Sequence, residues 1–167
     1  MPVARLASVF GQVGPELLAR AVEAIKKHPQ PPYGRPAQAS GRTAASLTEQ
    51  HGDDFAQVLG PVHVQALLTG RGPSRNTGTG GPKLSEILAQ WARDKPGFVL
   101  DPGSTYERFG FLAARKIHRQ GTALFRLAQP SGLLDDLLSP QYLDLLKARI
   151  AAGELTAITS TLQGVLR

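Results

Sequence analysis

Residues 69–84 read TGRGPSRNTGTGGPKL: glycines, hydroxyls, two arginines and a lysine ahead of an apolar run. A stretch like this either cradles a phosphate or joins two structural elements. The choice decides whether the chain is built around a nucleotide-binding strand–loop–helix unit. Such a unit needs G-x-x-x-x-G-K-[ST] after a buried strand, so that backbone N–H groups and the lysine surround the phosphates. Three of those requirements fail. Pro82 stands between Gly81 and Lys83 and removes a backbone donor. Leu84 occupies the position where a magnesium-binding hydroxyl is required, and the preceding VQALLTG reads as helix. The nucleotide reading is therefore set aside. Residues 70–82 are expected to form a mobile glycine-rich loop, because Gly78, Gly80 and Gly81 open many backbone states. Arg71, Arg75 and Lys83 give the stretch positive charge, and such a loop orders against a neighbour in an assembly. In an isolated chain it reads equally as an exposed connector.

Working outward, PVHVQALLTG, from Pro61 to Gly70, predicts a short helix. KLSEILAQWARDK predicts another, with Leu84, Ile87, Leu88 and Trp91 as its apolar stripe and Pro96-Gly97 as its stop. After a connector, TYERFGFLAARKIHRQG predicts a third, burying Phe109, Leu112, Ala113 and Ile117 and ending at Gly121. Upstream, GPELLARAVEAIKKHP predicts an amphipathic helix beginning near Pro15. It would bury Leu17, Leu18, Ala21, Val22 and Ile25, place Lys26, Lys27 and His28 at the negative end of the dipole, and stop at Pro29. Residues 29–43, rich in proline, read as an extended arm or connector. TAASLTEQ, HGDD and FAQVLG then read as strand, turn, strand.

Within a C-terminal segment 139–167, SPQYLDLLKARIAAG predicts a helix capped by Ser139 and Pro140. It would bury Tyr142 or Leu143, with Leu146 and Ile150, and end at Gly153. The remaining ELTAITSTLQGVLR is either a helix with Leu155, Ile158, Leu162, Val165 and Leu166 on one face, or a strand favoured by its threonines. The expected fold is α+β and helix-dominated: one domain over residues 1–167, with a small antiparallel β-hairpin or sheet and long Gly/Pro-rich loops.

Composition agrees with that outline. A chain of 167 residues, 41% hydrophobic, is long enough to bury a core of its own. Its 18 glycines and 13 prolines predict a modest core with extended loops, for which assembly supplies part of the stability. The net charge of +6 suits a solvated basic surface, a nucleic acid or an acidic protein partner. With no cysteine, disulfides, zinc thiolates and cysteine nucleophiles are excluded. No apolar run approaches the roughly 18 residues that span a bilayer, and the first residues lack a secretory pattern. The expectation is a soluble protein made in a cytoplasm, without membrane association.

Catalytic chemistry finds no foothold in the pattern. His28, His51, His63 and His118 form no H-x-x-x-H or H-E-x-x-H pair, so no metal site is expected. No G-x-S-x-G elbow is present, and Asp53-Asp54 and Asp135-Asp136 read as solvated surface. The chain is expected to be no enzyme and to need no cofactor. Arg115, Lys116, Arg119 and Arg126 form a basic run, with Arg115 and Arg119 on one helical face. This reads first as a solvated or subunit-facing helix and second as a DNA contact.

Four segments in order carry a resemblance. ASGRTAASL (39–47) resembles the T-G-x-L-x-x-S-[IL] segment of small neck and tail-completion proteins of tailed phages. LLTGRGPS (67–74) resembles their G-R-x-P element, and KLSEILAQW (83–91) the following I-x-x-W helix. ERFGFLAARKIHRQGTALFR (107–126) is similar to their A-x-x-I-x-x-x-G-T-x-L-[FY] helix. The resemblance spans residues 14–126. It implies an α+β virion structural protein of the head–tail joining or minor-tail class, assembling as a ring. The implied partners are copies of itself and other neck or tail proteins, with non-specific contact to packaged DNA. Assembly in the host cytoplasm and residence in the virion follow from the same likeness. Carried over by position, Gly41 and Ser46 mark entry to the hairpin, and Gly70, Arg71 and Pro73 form the loop turn. Trp91 is a core anchor, and Ile117, Gly121 and Thr122 close the third helix. Arg71, Arg75, Lys83, Arg115 and Arg119 are the interface or DNA-facing candidates. The alternative reading is a DNA-binding accessory protein using the basic helix and loop.

Overall fold

The computed structural model describes residues 3–31, 34–36, 38–74 and 82–165. Eight helices and two small antiparallel sheets follow one another along these residues, a helix-dominated α+β fold as expected. The spine is α1 (Val3–Lys27), which begins twelve residues before Pro15, the start the sequence suggests, and carries that proline in its interior. Pro15 is exposed, and lacking an N–H it leaves the Gly11 carbonyl without its helical donor. The first half of α1 is retained by packing: Val9 and Leu6 approach Gly153 of α8 (Pro140–Val165), where an added Cβ would meet Val9 at 3.2 Å. Close approach is the reason a glycine sits there. The helix expected to stop at Gly153 therefore runs through it, and the last segment is helical to Val165.

After α1 the chain turns back through β1 (Pro29–Gln30) and β2 (Arg35–Pro36), a two-residue ribbon where an extended arm was expected. Lys95 pins its far end by donating to the carbonyls of Pro36 and Gln38, the latter at 2.6 Å. Gly41, at φ +80°, opens the one-turn helix α2 (Arg42–Ala45). The first strand of the hairpin is shorter than the sequence suggests, because Thr43-Ala44-Ala45 is helical. β3 (Thr48–His51) then pairs with β4 (Ala56–Leu59) in the register Glu49↔Val58, with Gly52 N–H bonded to Phe55 O at 2.9 Å across the turn. The hairpin rests across α1. Glu49, Ala56 and Val58 are partly buried, while Thr48, Gln50, Gln57 and Leu59 are exposed.

The core is formed by Ala21, Ala24 and Ile25 of α1, Ala44 and Leu47, and Leu133 of α7 (Leu133–Leu137). Leu18, Val22 and Val58 surround it, with Val64, Leu67 and Leu68 of α3 (His63–Thr69). Polar pins complete this body. Arg20 donates to the carbonyls of Leu137 and Asp136 at 3.1 Å each, and its guanidinium lies 4.1 Å from the centre of the Tyr142 ring. Arg149 of α8 pairs with Glu16 of α1 at 2.5 Å.

The second body is a helical hairpin of α4 (Leu84–Asp94) and α5 (Tyr106–Gln120). Its contact is made by small residues: Ala89 and Ala92 on α4, Gly110 and Ala114 on α5 are the buried positions. A Cβ on Gly110 would fall 2.2 Å from the Ser85 carbonyl oxygen. This rotates both helices away from the stripes the sequence suggests. Ile87 is 48% exposed and Leu112 51% exposed, while Phe109 and Ile117 stay partly buried. Trp91 is a half-buried member of an aromatic cluster, edge-on to Phe98, which is edge-on to Phe109. Among the described residues no helix is long and apolar enough to cross a membrane.

Candidate interaction surface

The opening stretch finds its partner fifty residues away. Residues 70–74 run alongside residues 118–122: Thr122 N–H donates to Arg71 O at 2.8 Å, and Ser74 N–H donates to His118 O at 3.2 Å. Thr122 Oγ1 accepts from Arg71 N–H at 3.0 Å and from Phe125 N–H at 3.4 Å, the second bond capping α6 (Ala123–Leu127). Two glycines make the crossing possible. Gly70 has φ +80° and Gly121 φ +76°, in the region that side chains rarely enter. An added Cβ would stand 2.3 Å from Phe125 N at the first and 2.7 Å from Arg71 O at the second. The backbone donors of Arg71 and Ser74 are thus spent within the chain. So is the N–H of Lys83, which donates to the Glu86 carboxylate at 3.2 Å. An anion approaching that amide would meet a carboxylate already seated on it.

Arg75 and the loop glycines 78, 80 and 81 lie outside the described residues. Arg71 is tied to Ser74 Oγ at 2.8 Å, and Pro73 is exposed beside it. Gly41 caps the start of α2, Gly70 the end of α3, Gly121 the end of α5 and Thr122 the start of α6. Trp91 sits half-buried on the side of the α4–α5 hairpin.

Arg115 and Arg119 do share a face, and it is the outer face of α5. Arg108, Arg115, Lys116 and Arg119 are all exposed there, around Phe111 at 59% exposure and Leu112. Among the described residues none of these four cations is in an ion pair with a carboxylate. The nearest acid on the helix, Glu107, is engaged by Arg93. From Arg108 to Leu134 the sequence has no acidic residue at all. The face therefore joins uncompensated positive charge to exposed apolar area, a pairing that periodicity missed because it assigned Leu112 to the interior. The excess of small residues at 110, 113 and 114 was the available signal for the true contact side.

Of two recesses, the first borders this face at Phe111. An open groove of about 590 Å³ is lined by Arg42, Glu86, Arg93, Glu107, Ile87 and Phe111 among others. Its arginines are already paired, Arg42 with Asp94 at 3.3 Å and Arg93 with Glu107, and the Glu86 carboxylate accepts the Lys83 N–H. The second, about 260 Å³, holds His28. His28 Nδ1 bonds the Asp136 carboxylate, and Nε2 faces the Ser131 carbonyl at 2.7 Å. A carbonyl only accepts, so Nε2 carries a proton, and a second proton on Nδ1 satisfies the carboxylate. Burial lowers the His28 pKa, but these two bonds and the charges of Asp136 and Asp135 outweigh it, and the net shift is upward. Asp135-Asp136 is thus no merely solvated pair: it opens α7 and pins the end of α1. His28 and Asp136 are 108 positions apart, and no local pattern announces their contact. Among the described residues no three acidic or histidine side chains converge to hold a metal ion. Comparison with protein-family models, curated proteins and solved structures returned no match to this chain.

Proposed function

We propose that this chain is a structural virion protein of a tailed phage or tail-like particle, a ring-forming neck, tail-completion or minor tail subunit that joins head and tail. The observation that carries the reading is the crossing of residues 70–74 with 118–122. The G-R-x-P element and the I-x-x-x-G-T element, far apart in sequence, are two halves of one hydrogen-bonded seam. Two of the elements on which the resemblance rests thus act as one structural unit, which supports reading them together. The exposed face of α5, apolar and basic together, adds the kind of surface that a subunit covers on assembly. The test is particle mass by native mass spectrometry or light scattering, for the chain alone and mixed with other virion proteins. A closed oligomer in either sample is the expected result. A strict monomer in both would overturn the reading.

A second reading rests on the acid-free stretch from Arg108 to Leu134: a DNA-binding accessory protein that lays α5 along the phosphates. Binding of that kind weakens steeply with salt as counterions are released. No retention of duplex DNA at low salt removes it.

A further inference from the structure

The tip of the β3–β4 hairpin has the chemistry that the α5 face lacks. Asp53, Asp54 and Phe55 are all exposed, Phe55 to 45% with its ring folded over Gly52. Among the described residues neither carboxylate is in an ion pair. The tip thus presents two uncompensated negative charges next to one half-exposed aromatic ring. The α5 face presents uncompensated positive charges, Arg108, Arg115, Lys116 and Arg119, around Phe111 and Leu112. We infer that the α5 face is the docking site for the Asp53-Asp54-Phe55 tip of a second copy of this chain, a pairing that rests on the ring-subunit reading and names its interface.

Three physical points support this occupant. Opposite charges flanking an apolar contact give register as well as attraction, and they discourage wrong partners. Exposed apolar side chains amid the cations gain from a partner with apolar surface of its own, which a phosphate backbone does not offer. Tip and face are also different surfaces of the molecule, each present once per copy. Their contact is heterologous, and a heterologous contact propagates from copy to copy until rotation closes it. A ring needs that property.

The absence of native cysteine makes the contact directly readable. A D54C/R115C double variant should form, on mild oxidation, a disulfide-linked ladder extending beyond dimers. D54C and R115C alone should give no such ladder. D53K/D54K and R115E/R119E should each raise the concentration needed for assembly by roughly tenfold or more. An equimolar mixture of the two variants repairs every contact only where they alternate around a ring of even copy number, whereas one chain carrying all four reversals restores an opposite-charge match between the substituted positions in a ring of any size. That chain should assemble near the original concentration. All substituted positions are exposed, and circular dichroism checks that each variant is folded.

If the unsubstituted chain is a monomer under every condition, the ring reading itself falls and this pairing with it. If it assembles, but no ladder forms and neither reversal moves the assembly concentration, the pairing is wrong and the ring reading stands. A ladder that ends at dimers overturns the head-to-tail arrangement in favour of a two-fold one. Loss of DNA retention in R115E/R119E with unchanged particle mass assigns the face to nucleic acid and overturns the pairing.

Discussion

The two bodies of this molecule solve burial in opposite ways. Around α1, three alanines and the larger Ile25, Leu47 and Leu133 meet in a cluster ringed by leucines and valines, and long polar side chains reach across to fix the outer elements. Arg20, Glu16 and His28 each bind a partner more than a hundred residues away. In the α4–α5 hairpin, small residues let two backbones come together, and the large apolar side chains are left at the flanks and outside. The first arrangement spreads its stabilisation over many replaceable contacts. The second concentrates it on a few small buried residues, and at Gly110 a single added atom has nowhere to go. The same concentration frees the outer face of α5 from any duty to the core.

The sharpest way to break this contrast is at Gly110. In an exposed helix, replacing glycine by a larger residue gains about 1 kcal/mol. Here the Ser85 carbonyl and Ala89 backbone lie within 3 Å of the new Cβ. Gly110→Leu is therefore expected to cost about 3 kcal/mol or more through helix separation, read as a fall in the urea midpoint. A neutral result would mean the hairpin yields as easily as the α1 body.

Next is Gly70→Ala, which combines φ +80° with a 2.3 Å approach to Phe125 N. The expected loss is about 2–3 kcal/mol, again by urea unfolding. Hydrogen exchange at the Arg71 and Thr122 amides should rise with it, locating the damage at the seam.

In the α1 body the effects should be smaller. Arg20→Met keeps the apolar stem and removes two carbonyl bonds and the cation–π contact, for a loss of about 1–2 kcal/mol. An effect as large as that at Gly110 would contradict the picture of distributed contacts.

The smallest expected effect is that of pH on His28. Its folded pKa lies above the unfolded value, so the stabilisation is complete below about pH 6.5 and is lost as pH rises through the folded value. Urea midpoints recorded from pH 5 to 9 should show this decline, and His28→Asn should flatten that part of the profile. A decline that survives the substitution would place its origin elsewhere.

Much of the α1 body was legible in the sequence. The stripe of Ala21 and Ile25, the basic end of the helix, the hairpin turn and the Ser139-Pro140 start follow from local chemistry, and each is where expected. Glycine and proline misled where tertiary packing overrode them. Pro15 and Gly153 read as a beginning and an end, yet both lie inside helices that hold each other in place. The α4–α5 hairpin was legible as two helices but not in its rotation. Hydrophobic periodicity weighs leucine and isoleucine above alanine and glycine, whereas close packing here depends on the small residues. Of the candidate surface, Arg115 and Arg119 were legible as sharing a face. The apolar company they keep was not. His28–Asp136 could not be read at all, since only the folded chain brings those ends together.

The seam at Gly70 and Gly121 has one more consequence. Because Ser74 and His118 touch, everything between them leaves and rejoins the fold at nearly one point. Topologically the α4–α5 hairpin is a guest inserted into a host whose main chain closes beneath it. Length is then cheap to change in the guest and costly to change in the host, since a longer or shorter excursion meets the same seam. A chain with residues 75–117 replaced by a short glycine–serine linker is expected to retain one cooperative unfolding transition for the α1 body. Loss of that transition would show that host and guest fold as one.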